Sequence, residues 1–161
     1  MRRLLQFAPF LLLAGCSVNG APPASSPVTD PAAPQVGGTR ILDPAAAERL
    51  LGAKGVSLQW ISWDYRGSVN VWRDEGTIHL RGSQDASDGP GRLELDGEVR
   101  EIGSDYFVFD GRISIRDTPD AGRVCEADKL WRFAITQNRP YWRLREFEWC
   151  DGLTDYVDIY F

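Results

Sequence analysis

The 161-residue chain contains one histidine and three cysteines, and that scarcity removes most catalytic chemistries at the outset. A serine or cysteine triad would have His79 as its only base, and no G-x-S-x-G elbow is present. No H-E-x-x-H and no C-x-x-C spacing exists, so a zinc site lacks a ligand set. No glycine-rich loop with a lysine is available for phosphate. His79 lies in Thr77-Ile78-His79-Leu80-Arg81 and falls on the polar face when Ile78 and Leu80 point inward, which makes it an inert surface residue. Carboxylates are so numerous that any glycosidase-like pair would be an arbitrary choice. Asp155 and Asp158 near Asp151 match no EF-type loop and read as solvated acids at a strand end, not a calcium site. No metal, cofactor or catalytic residue is assigned. Long apolar runs are missing too. Leu4–Leu13 holds Gln6 and Pro9 and is half the length of the roughly 20 residues a spanning helix needs.

What the N-terminus does have is Arg2 and Arg3, that short apolar stretch, and then small residues, the layout of a secretory signal. Leu13-Ala14-Gly15-Cys16 resembles the lipobox of bacterial lipoproteins in all four positions and in its distance from the basic start. The resemblance implies cleavage before Cys16, a diacylglyceryl group on its thiol and acylation of the new amino group. Several acyl chains anchor stably where one is marginal, so membrane lipid becomes the first expected partner. The bland alternative is an ordinary signal followed by a chance cysteine. Ser17 stands where an aspartate would resemble an inner-membrane retention signal. The resemblance therefore points to the cell envelope, and in a diderm source to the outer membrane facing the periplasm.

Loss of Arg2 and Arg3 with the signal leaves 16 basic against 23 acidic residues, a net charge of −7. Such a chain offers no electrostatic footprint for nucleic acid. Net charge also predicts repulsion from anionic headgroups, so the lipid must do the anchoring. With Cys16 used by lipid, Cys125 and Cys150 remain in an oxidising compartment, where a disulfide is the expected state and two free thiols the alternative.

Three segments follow: 1–15 as signal, 16–40 as lipidated cysteine and tether, and 41–161 as a β domain. Pro22, Pro23, Pro27, Pro31 and Pro34 alternate with Ala, Ser and Gly in the tether, which cannot bury enough apolar surface to order itself. Asp43 before Pro44 and an Ala-rich stretch predict a short helix over Pro44–Ala53. From Val56 the apolar period becomes two. Strands are predicted over Val56–Trp63, Ser68–Arg73, Thr77–Arg81, Arg92–Ile102, Tyr106–Arg116, Lys129–Gln137, Tyr141–Trp149 and Thr154–Phe161, with Cys125 in the long loop before the sixth. Short connections demand antiparallel neighbours. The expected fold is all-β: an eight-stranded antiparallel meander in a closed or nearly closed barrel, lipocalin-like by analogy, with one short N-terminal helix. The Asp-Gly steps at Gly97 and Gly111 are read as bends inside strands, since alternation runs through them; two extra hairpins are the competing reading.

Aromatics carry the strongest remaining signal. Val56, Leu58 and Trp60 share one parity, and Ile61 and Trp63 the other; Trp142 and Leu144 oppose Tyr141, Phe147 and Trp149. Strands apolar on both faces either change side at a bulge or carry a binding surface. Arg132, Arg139, Arg143 and Arg145 lie in the same stretch, where cross-strand acids would pair them or, beside tryptophan, they would suit an anionic or sugar-like ligand. The candidate ligand set is Trp63, Tyr141, Arg143 and Trp149. The last quarter of the chain, Arg139-Pro140-Tyr141-Trp142-Arg143-Leu144 through Cys150 to Phe161, is similar to the end of uncharacterised bacterial exported proteins and implies no activity. The expected role is non-enzymatic small-molecule binding by an envelope lipoprotein. A protein-interaction module with a fully packed core is the second reading, and a carboxylate hydrolase the third.

Overall fold

The computed structural model describes residues 37–161. The signal segment, Cys16 and nearly all of the tether lie outside the described residues. The described residues belong to one compact unit. Its elements are β1 (Arg40–Ile41), α1 (Pro44–Leu51), β2 (Gly55–Leu58), β3 (Ser68–Asp74), β4 (Thr77–Asp85), β5 (Arg92–Ile102), β6 (Tyr106–Arg116), β7 (Val124–Ala134), β8 (Tyr141–Leu144) and β9 (Val157–Tyr160).

Eight strands follow the path β2-β9-β8-β7-β6-β5-β4-β3, every neighbour antiparallel. The ends of that path meet. Val56 and Gly67, just ahead of β3, exchange both backbone hydrogen bonds, at 3.3 and 2.8 Å. A Cβ on Gly67 would stand 2.0 Å from the Ser83 carbonyl oxygen, so this closure requires glycine. The result is the nearly closed, eight-stranded antiparallel meander the pattern predicts, with one short helix. A ninth strand was not foreseen: β1 runs parallel to the end of β5, and Thr39 already bonds Val99 and Ile78 through its hydroxyl.

The helix starts where the sequence says. The Asp43 carboxylate accepts the Ala46 N–H at 2.9 Å, Pro44 takes the first turn, and Gly52 ends the helix one to two residues early. Ala46, Ala47 and Leu50 are buried in the core and close one end of the barrel. The interior is filled by Trp131, Trp142, Phe107, Phe109 and Phe133 together with aliphatic residues of β2, β4, β5, β6, β8 and β9. Phe107 stacks on Phe133 and meets Trp142 edge-on. This is a packed core where a lipocalin has a ligand space.

Gly97 and Gly111 sit directly opposite each other in the β5–β6 ladder, so both Asp-Gly steps lie within strands and neither forms a hairpin. A Cβ on either would come within 2.7 Å of the other's Cα, and the Phe109 ring covers the gap.

The barrel has two unequal walls. β4 to β7 are nine to eleven residues long, whereas β2, β8 and β9 have four each. Three predicted strands are shortened accordingly. The first stops at Leu58, where the Ile61 N–H turns back to the Leu58 carbonyl; the seventh stops at Leu144; the eighth begins at Val157. The parity argument for Trp60 against Trp63 and for Trp149 therefore has no strand beneath it. In the opposite direction, β4 continues to Asp85 through the expected loop, and β7 begins at Val124, which puts Cys125 inside a strand. β8 pairs with β7 at only two positions. Segment 145–156 covers the gap this leaves, and the Cys125–Cys150 disulfide staples it to the start of β7.

Candidate functional site

Register builds the candidate face. Tyr141 pairs with Tyr160, and Arg143 with Asp158, across β8 and β9; Ser57 of β2 faces Asp158 from the other side. Trp142, Leu144, Val157 and Ile159 alternate with these and point into the core. The outward set is Tyr141, Arg143, Asp158, Tyr160 and Ser57. It is then roofed by Trp63 and Arg66 from the β2–β3 connection and by Tyr156, so positions on both faces of this wall are buried or half-buried.

The Arg143 guanidinium gives a bidentate pair to Asp158, Nε and Nη2 each 2.7 Å from a carboxylate oxygen, with Asp158 fully buried. Asp158 raises Arg143 above its ordinary pKa through these hydrogen bonds. Burial pushes the Asp158 carboxyl up, with Arg143 opposing it. Arg143 Cζ lies 4.1 Å from the Tyr156 ring centroid, 5.2 Å from Tyr141 and 5.9 Å from Trp63. Tyr141 and Tyr160 rings are 5.2 Å apart; Arg66 stacks on Tyr160 at 3.8 Å and Arg139 on Tyr141 at 5.9 Å. Phe147 meets Tyr156 edge-on and carries Arg145 on its face at 4.9 Å. Arginines and rings thus form one continuous ladder over the outer surface, with Trp63, 53 % exposed, at its edge.

Three of the four sequence candidates, Trp63, Tyr141 and Arg143, come together here. Trp149 does not. Its ring packs edge-on against buried Trp131 at 5.1 Å, and its Nε1 is buried without a partner among the described residues, so it lids the β7–β8 gap. Tyr156, Tyr160 and Arg66 were missed. Tyr156, Asp158 and Tyr160 share one parity against Val157, Ile159 and Phe161, a signal present in the sequence. Arg66 sits in a turn segment where periodicity carries no information. The expected acid partners for Arg132, Arg139 and Arg145 are also absent among the described residues; only Arg143 has one.

Of the acids read as solvated, Asp151 is exposed but Asp155 and Asp158 are fully buried. Asp155, fully buried, accepts Trp60 Nε1 at 3.0 Å and both Nη groups of Arg123, which also holds Asp151 bidentately at 2.8 Å. The Arg123 guanidinium holds the Asp151 carboxyl down at about 2. These groups satisfy one another and tie together the loops of the barrel's other end. A shallow cleft of about 270 Å³ lies beside them, lined by Trp60, Ile61, Pro90, Thr118 and Pro119 among others. His79 stacks on Trp72 at 5.1 Å on the long wall, away from the face.

An eight-stranded barrel with a filled interior and an arginine–aromatic outer wall describes a class of scaffold without fixing its role. The chain belongs to the PM1083 family, whose model matches residues 38–161. It is 35 % identical over 115 residues to an uncharacterised protein, PM1083, of Pasteurella multocida strain Pm70, a stretch covering 70 % of this chain and 74 % of the relative. No solved structure matches.

Proposed function

We propose that the protein is a lipid-anchored, non-enzymatic binding module of the cell envelope that works through the outer face of its short wall. The observation that carries this reading is a segregation: large apolar side chains fill the interior, while arginines stacked on aromatic rings gather outside on β8, β9 and the segments over them. Tyr, Trp and Arg are the residues that dominate binding energy at macromolecular contacts. The outer wall of a barrel is convex, and a convex surface suits a large partner better than a small ligand, which needs concavity. The small-molecule reading accordingly gives way to the interaction-module reading. The lipobox ending in Cys16 supports anchoring, and Ser17 supports the outer membrane, facing the periplasm, in a diderm source.

Two measurements test the two halves. After a wash at about 0.5 M salt, which screens surface charge, Cys16→Ser should leave the membrane fraction, and a variant that still fractionates with membranes under that wash overturns lipid anchoring. A photo-crosslinking residue at Trp63 should give a discrete lipid or protein adduct in intact cells, and one at Arg81 on the long wall should not. Equal labelling from both positions, or none from position 63, overturns the assignment of the face.

A further inference from the structure

Residues 37–161 contain sixteen Lys and Arg side chains against 22 carboxylates. Ten of the cations have a carboxylate within 4.0 Å. The unpaired ones, among the described residues, are Arg49, Lys54, Arg66, Arg132, Arg139 and Arg145. In a chain with acids to spare, a random scatter would leave unpaired acids and few unpaired cations. Here the unpaired cations concentrate around the short wall. Along β3 to β6 every cation has a carboxylate partner, in pairs such as Arg81–Asp96 and Arg100–Asp110, whereas Arg132 stands unpaired on β7 at its seam with β8.

One pair shows that this is costly for the fold. Phe133 faces Leu144 and Ala134 faces Arg143; the same register continues through the Arg145 N–H bonded to the Arg132 carbonyl. Arg132 and Arg145 therefore stand directly opposite each other on the outer surface, with no carboxylate between them. Like charges in that relation destabilise a sheet. They lean apart, Arg132 onto Tyr106 at 3.9 Å and Arg145 onto Phe147. Stacking holds the guanidinium planes but leaves their hydrogen-bonding edges unmet.

We propose that this face docks on anionic lipid headgroups, its arginines taking phosphate oxygens and Trp63 and Tyr141 seated at headgroup depth. The proposal rests on the reading of this wall as the binding face, and not on lipidation. Guanidinium forks fit phosphate bidentately. Trp and Tyr are the side chains that settle at a membrane–water interface. The net charge of −7 argues against such contact only at long range: at physiological salt the screening length is about 8 Å, so the membrane feels the wall it touches and not the acids on the far side. A convex cationic wall on an acidic body also fixes which side faces the lipid.

The test uses the barrel alone, Pro34–Phe161, which carries its own core, helix and disulfide, so no acyl chain contributes. Cosedimentation with phosphatidylglycerol-containing vesicles at low salt is expected, with none on pure phosphatidylcholine and release at about 0.5 M salt. Arg132→Gln and Arg145→Gln should each lower partitioning roughly fivefold while leaving the melting temperature unchanged or raised, because a repulsion is removed. Arg81→Gln and Arg100→Gln should change partitioning little. Failure to bind anionic vesicles, equal binding to neutral ones, or equal losses from the long-wall variants overturns the proposal. So does full displacement by millimolar inorganic phosphate, which would mean a site for a free anion. A Trp63 cross-link to a protein in cells, with no vesicle binding, would retain the face and remove the headgroup assignment.

Discussion

Arg143→Met should unfold the short wall more readily at neutral pH than at mild acidity. The guanidinium and the Asp158 carboxylate are both out of water, joined by two 2.7 Å hydrogen bonds. At an effective dielectric of about 20, unit charges about 4 Å apart attract by about 4 kcal/mol. Orphaning one member of a buried pair costs about 3–5 kcal/mol, and that range is the expected loss at pH 7. Met preserves much of the aliphatic stem and gives up only the guanidinium with its place over the Tyr156 ring, so the loss is mainly electrostatic. Burial already pushes Asp158 up; without Arg143 it rises further above its unfolded value. An acid whose folded pKa is raised imposes its full penalty above that pKa and none below the unfolded one. The deficit against wild type must therefore shrink as pH falls from 7 towards 4. Urea melts of both proteins at pH 7 and pH 5 read this directly. A loss under about 1 kcal/mol at pH 7, or one equal at both pH values, would show the pair to be solvated and the reasoning wrong. Arg143→Met with Asp158→Leu should recover most of the loss, since a buried pair exchanged for apolar groups is often neutral.

Cys125→Ala with Cys150→Ala opens a loop of 25 residues and should cost about 3.5 kcal/mol in the chain-entropy model; identical melts with and without reductant would remove the staple. Among the tryptophans, Trp142→Ala should lose about 3–5 kcal/mol as a fully buried core residue, Trp149→Ala about 2, and Trp63→Ala under about 0.5. Three equal losses in thermal melts would contradict the separation of lid, core and face. Asp151, held at about 2 by Arg123, contributes stability that is present above its unfolded value near 4 and lost as pH falls through 2; Asp151→Asn should flatten acid melts in that window. An unchanged acid slope would remove Asp151 from the network.

Legibility followed solvation. β5 and β6 occupy the predicted residues to both ends because each buries one face and wets the other, which keeps the alternation of Leu93, Leu95 and Val99, or of Phe107, Phe109 and Ile113, intact. Asp43-Pro44 located the helix because capping is local chemistry. Cys125 and Cys150 were pairable from compartment and count, yet their elements were misplaced, since the 124–128 stretch carries exposed Val124, Glu126 and Asp128 and looks like loop. Trp149 was grouped with Tyr141 by counting residues along a strand that ends at Leu144. The buried acids at 155 and 158 looked solvated because their partners, Arg123 and Arg143, are set by tertiary contact and register.

The wall that defeated the pattern is the wall that carries the face, and the two facts have one cause. In β2, β8 and β9 the inward positions join the core while the outward ones lie under Trp63, Arg66 and Tyr156, so consecutive residues are buried and period two disappears. A strand covered on both sides reads as continuous rather than alternating. The outer covering buries Asp158 and Arg143 instead of hydrocarbon, which is the expensive choice for stability alone, as apolar replacements would serve at least as well. What the ion pair does provide is a fixed guanidinium plane between Tyr141 and Tyr156, on which the exposed cations of the ladder are arranged. A fold under selection for stability only has no use for that plane, nor for Arg132 facing Arg145. A surface that must present rigid cations to an anionic partner needs both.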